Sequence, residues 1–177
     1  MSKQWSNWSG AVSCQPAVFA EPTSVDEIRA ELKAARDAGR NVRVAGSGHS
    51  FTPLCATDGT LLSLRNYSGV TDVDRDSRRV RVRAGTSLKT LGAALAEHGL
   101  AMENLGDIDV QAVAGALATG THGTGVEFGS LATQITALRL LLADGSELWC
   151  SRDSEPEIFH AARVHLGALG VVTEIEL

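Results

Sequence analysis

The apolar run Asn41-Val42-Arg43-Val44-Ala45 breaks directly into Gly46-Ser47-Gly48-His49-Ser50. No other junction in the chain limits the fold as much. The run alternates inward and outward like a short strand. A strand that stops in Gly-Ser-Gly leaves several backbone N–H groups unpaired and close together, and small side chains let an anion reach them. His49 is the odd member, because a loop that only cradles phosphate has no use for a nucleophilic imidazole.

An alternating α/β order surrounds this turn. Residues 18–20 read as a short strand ending at Glu21-Pro22. Thr23 or Ser24 can cap a helix with Asp26 and Glu27 in its first turn, a buried stripe of Val25, Ile28, Leu32 and Ala35, and Gly39 as its stop. After the glycine turn, residues 60–64, 69–73 and 80–83 read as strands, the last two joined by a turn at Asp76-Ser77. A second helix spans about 87–98, capped by Thr86 or Ser87, with Leu88, Leu91 and Leu95 inward and Gly99 at its end. Residues 112–119 form a short helix of small residues. Residues 131–143 are strand-like, and Asp144-Gly145 turns the chain into a strand over 147–150. A third long helix is expected over 155–164, and 171–177 alternates as a closing strand.

Bulk composition excludes several classes. The chain has 177 residues, 44% hydrophobic and 21% charged, which argues against disorder. Its net charge of −5 comes without a basic block, so no nucleic-acid surface is expected. The apolar run 166–172 is too short for a membrane span, and Met1-Ser2-Lys3-Gln4-Trp5 opens no signal-type hydrophobic stretch. Cys14, Cys55 and Cys150 are odd in number and widely spaced, which fits free thiols in a reduced, cytoplasmic setting. No metal site is expected, since neither H-x-x-x-H nor C-x-x-C occurs.

A second constellation lies at 114–125, Ala-Gly-Ala-Leu-Ala-Thr-Gly-Thr-His-Gly-Thr-Gly. So many glycines and threonines supply little core. They supply backbone N–H and C=O groups, hydroxyls, and room for a flat or phosphorylated ligand. Asn104-Leu105-Gly106-Asp107 has the same character. Three such loops on one α/β frame imply an extended ligand held at several points, and a dinucleotide meets that requirement. The nicotinamide fingerprint fails because Phe51 stands where its third glycine belongs, and no Gly-Lys-Ser/Thr of a phosphate-binding P-loop occurs.

Taken in order, Gly46-Ser47-Gly48-His49-Ser50, Cys55-Ala56-Thr57-Asp58-Gly59, Ala84-Gly85, Asn104-Leu105-Gly106, the 118–125 run, Ala143-Asp144-Gly145 and the 166–173 run make a specific pattern. It resembles the FAD-binding (PCMH-type) domain of the vanillyl-alcohol oxidase type flavoproteins, nearest to the aldonolactone (L-gulonolactone type) and alditol oxidases. The resemblance implies an α+β, two-subdomain fold: a small α/β subdomain over about 14–66, then a larger mixed β-sheet subdomain flanked by helices over 67–177. Residues 1–13 are left as an N-terminal tail.

The resemblance also implies roles for single residues. His49 matches the histidine that forms an 8α-histidyl bond to FAD, a tether that raises the flavin potential and prevents its loss. Ala45, Gly46, Ser47, Gly48 and Ser50 would line the pyrophosphate. Asp107, Ala112, Gly115, Thr119, Thr121, His122, Gly123 and Gly125 fall in the second flavin-contacting segment, and Val172 matches a position at the adenine end. Gly106 lies near a gate where glycine goes with oxygen access.

The implied chemistry is oxidation of a sugar lactone or polyol carbinol by hydride transfer to flavin N5, with O2 as acceptor giving H2O2. No catalytic residue is assigned within these residues, because the family places its base and substrate contacts in a cap domain that the sequence does not include. Two alternatives stand beside this reading: a non-catalytic FAD-binding module, and a same-family dehydrogenase that passes electrons to another acceptor. Plainer roles suit other residues. His98 suits a helix C-terminus, and His160 and His165 sit in or beside a surface helix. Trp5 and Trp8 suit tail packing or a contact with further chain, and Arg78, Arg79, Arg81 and Arg83 a solvated face. His122 could meet flavin or bond a loop carbonyl.

Overall fold

The computed structural model describes residues 3–177. The strands β1 (Trp5–Ser6) and β2 (Ser13–Cys14) pair antiparallel. β3 (Val18–Ala20), α1 (Val25–Asp37), β4 (Val42–Ala45) and β5 (Thr60–Ser63) follow. Both β3 and β4 run parallel to β5, which lies between them. All four residues of β5 are buried, as expected for a strand covered on both faces.

The second half contributes β6 (Val70–Asp74), β7 (Arg79–Arg83), α2 (Leu88–Glu97), α3 (Val113–Ala118), β8 (Ala137–Leu141), β9 (Glu147–Ser151), α4 (Pro156–Ala162) and β10 (Val171–Glu176). Its five strands are ordered β6-β7-β10-β8-β9, with every pairing antiparallel. The α+β, two-sheet arrangement is as expected, but the larger sheet is antiparallel throughout and not mixed, and parallel pairing is confined to the small sheet. One apolar cluster joins both halves, from Ile28 of α1 through Leu62, Leu91 and Leu140 to Phe159 and Ile175.

Caps set the helix ends. Ser24 caps α1, its Oγ accepting from the Glu27 N–H at 3.2 Å, while Glu27 Oε2 accepts from the Thr23 N–H at 2.6 Å. The Arg40 N–H returns to the Ala35 carbonyl past Gly39, which has φ +62°. In the same way Ser87 caps α2, His98 ends it, and Leu100 bonds back to Leu95. Thr86, the other candidate cap, is instead buried, with its hydroxyl on the Arg83 carbonyl at 2.7 Å.

Two boundaries differ from the sequence reading. Residues 131–134 form a 3-10 turn, and the strand begins only at Ala137. A continuous apolar run does not distinguish a strand from a buried helical turn. The third long helix is shorter than expected, running from Pro156 to Ala162 after Glu155 takes a left-handed φ of 52°. Among the described residues no helix is long and apolar enough to cross a membrane.

The outer face of the large sheet is a charged lattice. Arg79 and Arg81 pair with Glu176, and the guanidiniums of Arg81 and Arg139 lie 5.3 Å and 5.2 Å from the Trp149 ring. Glu176 is buried, and it accepts from Arg81 Nε at 2.9 Å and Thr136 Oγ1 at 2.8 Å. Burial pulls its carboxyl upward, but these hydrogen bonds and the Arg81 and Arg79 charges outweigh burial and hold it below its ordinary 4.5. A lowered carboxyl contributes stability that is complete above the ordinary value and is lost as pH falls through the folded value. Glu176→Gln is therefore expected to lower the melting temperature at neutral pH and to flatten its decline below pH 4.5, in melts recorded across acid pH.

Candidate functional site

A cleft of about 560 Å³ runs between the two sheets. One wall is β4 and its turn, residues 42–50. The other is built from Ala84, Gly85, Gln111, Ala112 and one face of α3, and residues between 165 and 172 close the end. Of the residues singled out in the sequence, Ala45, Gly46, Ser47, Gly48, His49, Ser50, Ala112, Gly115, Thr119 and Val172 all line this cleft.

The glycine turn is shaped by the first hairpin. The Trp8 N–H donates to the Gly48 carbonyl at 2.9 Å, and Asn7 Nδ2 donates to the Ser50 carbonyl at 3.0 Å. Two carbonyls of the turn are thus held toward the hairpin. Among the described residues, the backbone N–H groups of Ser47, Gly48, His49 and Ser50 have no protein acceptor. Gly48 has φ +70°, so a side chain there would be strained, although its Cβ would meet Asn7 Cα and Trp5 Cζ2 only at an ordinary contact distance of 3.4 Å. The Ser47 hydroxyl donates to the Val110 carbonyl at 2.6 Å, linking the turn to the loop before α3.

Side chains extend this pattern. Arg36, Arg40 and Arg43 line the cleft. Arg36 donates to the Ala143 carbonyl and Arg40 to Thr60 Oγ1, whereas Arg43 is exposed and has no hydrogen bond or ion pair among the described residues. Three guanidiniums make this part of the cleft positive in a chain of net charge −5. Gln111 donates from Nε2 to Thr121 Oγ1 at 3.1 Å, but its Oε1 is buried without a partner. Gln111 lines the cleft, and a bound donor would reach this oxygen after a turn of the side chain.

Gly106, Asp107, Thr121, His122, Gly123 and Gly125 do not line the cleft. Most of them form a neighbouring loop cluster. A Cβ on Gly106 would lie 3.2 Å from Thr121 Cγ2, and one on Gly123 would lie 2.1 Å from the Leu105 carbonyl. Thr121 connects this cluster to the cleft through Gln111. His122 is exposed and its Nδ1 lies 2.9 Å from the Gly123 carbonyl, and Asp107 is exposed.

Sequence reading gave no site role to Arg36, Arg40, Gln111, Trp8 or His165. Gln111 sits just before the small-residue helix, and only its position there could have flagged it. Trp8 stacks on His49 with ring centroids 5.1 Å apart. His165 was expected beside a surface helix, but it lines the cleft in the turn after α4, while His160 does remain exposed on α4. The Leu169 N–H reaches His165 Nδ1 at 3.5 Å, and burial pushes this imidazole below its ordinary value, toward the neutral form with its proton on Nε2. The signal was its position directly before the 166–173 run. Burial also pushes the Cys55 thiol up, and its Sγ donates to the Val44 carbonyl at 3.3 Å, so it is no thiolate nucleophile.

Residues 16–151 match the family described as FAD binding domain. The L-gulonolactone oxidase of Mus musculus is 42% identical over 174 residues, covering 98% of this chain and 40% of the relative. The L-gulono-1,4-lactone dehydrogenase of Mycobacterium tuberculosis is 44% identical over 177 residues, covering 100% of this chain and 41% of the relative. The chain therefore spans about two fifths of the length of the curated relatives it matches. Among solved structures, the xylooligosaccharide oxidase of Myceliophthora thermophila C1 superposes with a TM-score of 0.85 at 24% identity, over 97% of this chain and 37% of that one, a likeness of fold. With the glycine turn, the cleft and the two-sheet architecture, these matches establish that the chain belongs to the FAD binding domain family.

Proposed function

We propose that this chain holds FAD in the cleft between its two sheets, bonded through His49, as the flavin-bearing part of an oxidoreductase that oxidises a sugar lactone or polyol carbinol. One observation carries the reading: a glycine turn with free backbone N–H groups, three arginines and a His49 imidazole without a hydrogen bond all line one cleft. Its volume falls in the range of a few hundred to about 1,000 Å³ common for cofactor sites. The relatives named as lactone oxidase and lactone dehydrogenase support the substrate class.

Within this reading, residues 46–50 and the arginines hold the diphosphate, with N–H donors and positive charge facing its oxygens. Val172 packs near the adenine. Gln111 presents its amide to the ring system, with the neighbouring loop cluster of Gly106, Asp107, Thr121, His122, Gly123 and Gly125 beside it. Bound FAD supplies the acceptor for the substrate hydride and returns the two electrons to O2, giving H2O2.

Attachment replaces one imidazole N–H and one 8α C–H by a single C–N bond. Two protons leave, and the two electrons left on the ring system pass to O2. Gly106 is assigned to the oxygen approach, a position where an added Cβ would lie 3.2 Å from Thr121 Cγ2. Recognition of the carbinol and removal of its proton are assigned to sequence outside these 177 residues, and the three free thiols fit a cytoplasmic location.

Two measurements test the reading. Gln111→Leu is expected to weaken FAD binding by roughly tenfold in a fluorescence titration, the cost of one lost hydrogen bond to a buried partner. Unchanged affinity would remove Gln111 from the site. Oxygen uptake by the FAD-loaded chain after chemical reduction of its flavin, with one H2O2 formed per flavin, tests the acceptor. Reduction of a dye with no oxygen uptake would overturn O2 as acceptor.

A further inference from the structure

Trp8 is 64% exposed and stands against Phe51, itself 71% exposed, in an edge-to-face contact at 6.0 Å. Burial of apolar surface therefore does not account for its position. Its other partner is the His49 ring, stacked at 5.1 Å with 22° between the planes. The two turn carbonyls on either side of His49, those of Gly48 and Ser50, are held by the Trp8 N–H and the Asn7 side chain. Asn7 is buried, and its Oδ1 accepts from the Val12 N–H at 3.0 Å, so the hairpin that presents Trp8 is itself fixed. His49 makes no side-chain hydrogen bond among the described residues, which leaves both ring nitrogens at an unblocked edge.

From this geometry we infer that Trp8 is a positioning residue for flavin attachment: its indole face holds the His49 imidazole with one nitrogen edge toward the cleft. The inference rests on the reading of His49 as the attachment residue. Two physical effects act together. Stacking on one face removes ring orientations that would turn both nitrogens to solvent, so fewer encounters are unproductive. As the nitrogen forms its bond to the 8α carbon, and before its own proton leaves, the imidazole gains positive charge. An aromatic face at stacking distance stabilises that charge. The two electrons released still pass through the flavin ring to O2.

The test compares the wild type with Trp8→Ala and Trp8→Phe, each mixed with FAD and sampled over time for added mass on the intact chain. Flavin affinity is measured separately, by fluorescence quenching at times before attachment. Trp8→Ala is expected to slow attachment roughly tenfold, the factor an aromatic contact of this kind is worth, with affinity within about twofold of the wild type. Trp8→Phe restores most of the rate. In the flavin-free protein, loss of the indole ring current moves the His49 ring-proton signals in Trp8→Ala and not in a variant of the distant Trp149. Attachment by Trp8→Ala at the wild-type rate, or equal losses of rate and affinity, would overturn the positioning role while leaving His49 as the attachment residue. A wild type that binds FAD yet gains no mass would overturn the attachment reading itself, and this inference with it.

Discussion

Replacing His49 by alanine is expected to abolish flavin retention after acid denaturation. The wild-type chain, loaded with FAD and precipitated, should keep its yellow colour and carry one added mass of about 0.8 kDa. His49→Ala should release all colour to the supernatant and show the bare chain mass, because of the two imidazoles of the cleft only His49 has neither ring nitrogen engaged. His165 accepts from the Leu169 N–H through Nδ1, and His122 lies outside the cleft with its Nδ1 beside the Gly123 carbonyl. His122→Ala is accordingly expected to keep the added mass. A His49→Ala pellet that stayed yellow would move the attachment to another residue. Noncovalent binding should survive in the variant, since the N–H groups and arginines that face the diphosphate are untouched.

The second large effect is on the fold. A Cβ on Gly85 would lie 1.8 Å from the Leu64 carbonyl oxygen, 2.6 Å from the Leu64 carbonyl carbon and 2.8 Å from the Tyr67 oxygen. All three obstacles are main chain, at the point where β7 leads into α2, and no side chain can swing away to relieve them. Gly85→Ala is expected to cost about 3 kcal/mol or more. In a domain of this size that lowers the melting temperature by about 10 °C. The same chemical change at Gly92, inside α2 with nothing within 4 Å of the new atom, has the opposite sign. There, alanine relieves the helix cost of glycine and is expected to raise stability by about 0.8 kcal/mol. Thermal melts of the two variants check both signs, and equal shifts would mean that the close approach at Gly85 is not as tight as described.

Features whose cause is local were legible in the sequence. Ser24 with Glu27 and Gly39 bounds α1, and Ser87 with Gly99 bounds α2, because capping and the left-handed stop involve neighbours in sequence. The strand at 42–45 and the glycine turn were legible for the same reason. The 3-10 turn at 131–134 was not, since its apolar residues suit a strand equally well and only packing decides. In the cleft, the residues that follow β4 and those of α3 were readable from composition. Gln111 and Trp8 were not. Their roles depend on Thr121 and His49, partners that the chain brings close only once it is folded. The loop cluster around Gly106 shows the converse case: the resemblance groups its members with Ala112, Gly115 and Thr119 as flavin contacts, yet they sit beside the cleft instead of lining it.

The place of β10 governs the order in which the protein can be built. The β6–β7 and β8–β9 hairpins each close over short stretches of chain, but the strand between them is the last of the described strands to be synthesised. Until it arrives, β7 and β8 each present an open edge, the kind of edge that invites pairing with a neighbouring chain. Joining them requires contacts far apart in sequence, which makes this the slow event of folding. Val171 and Val172 at the start of β10 also line the cleft. A chain whose synthesis has not yet passed β10 therefore has no finished cofactor site, and loading must follow the completion of the sheet.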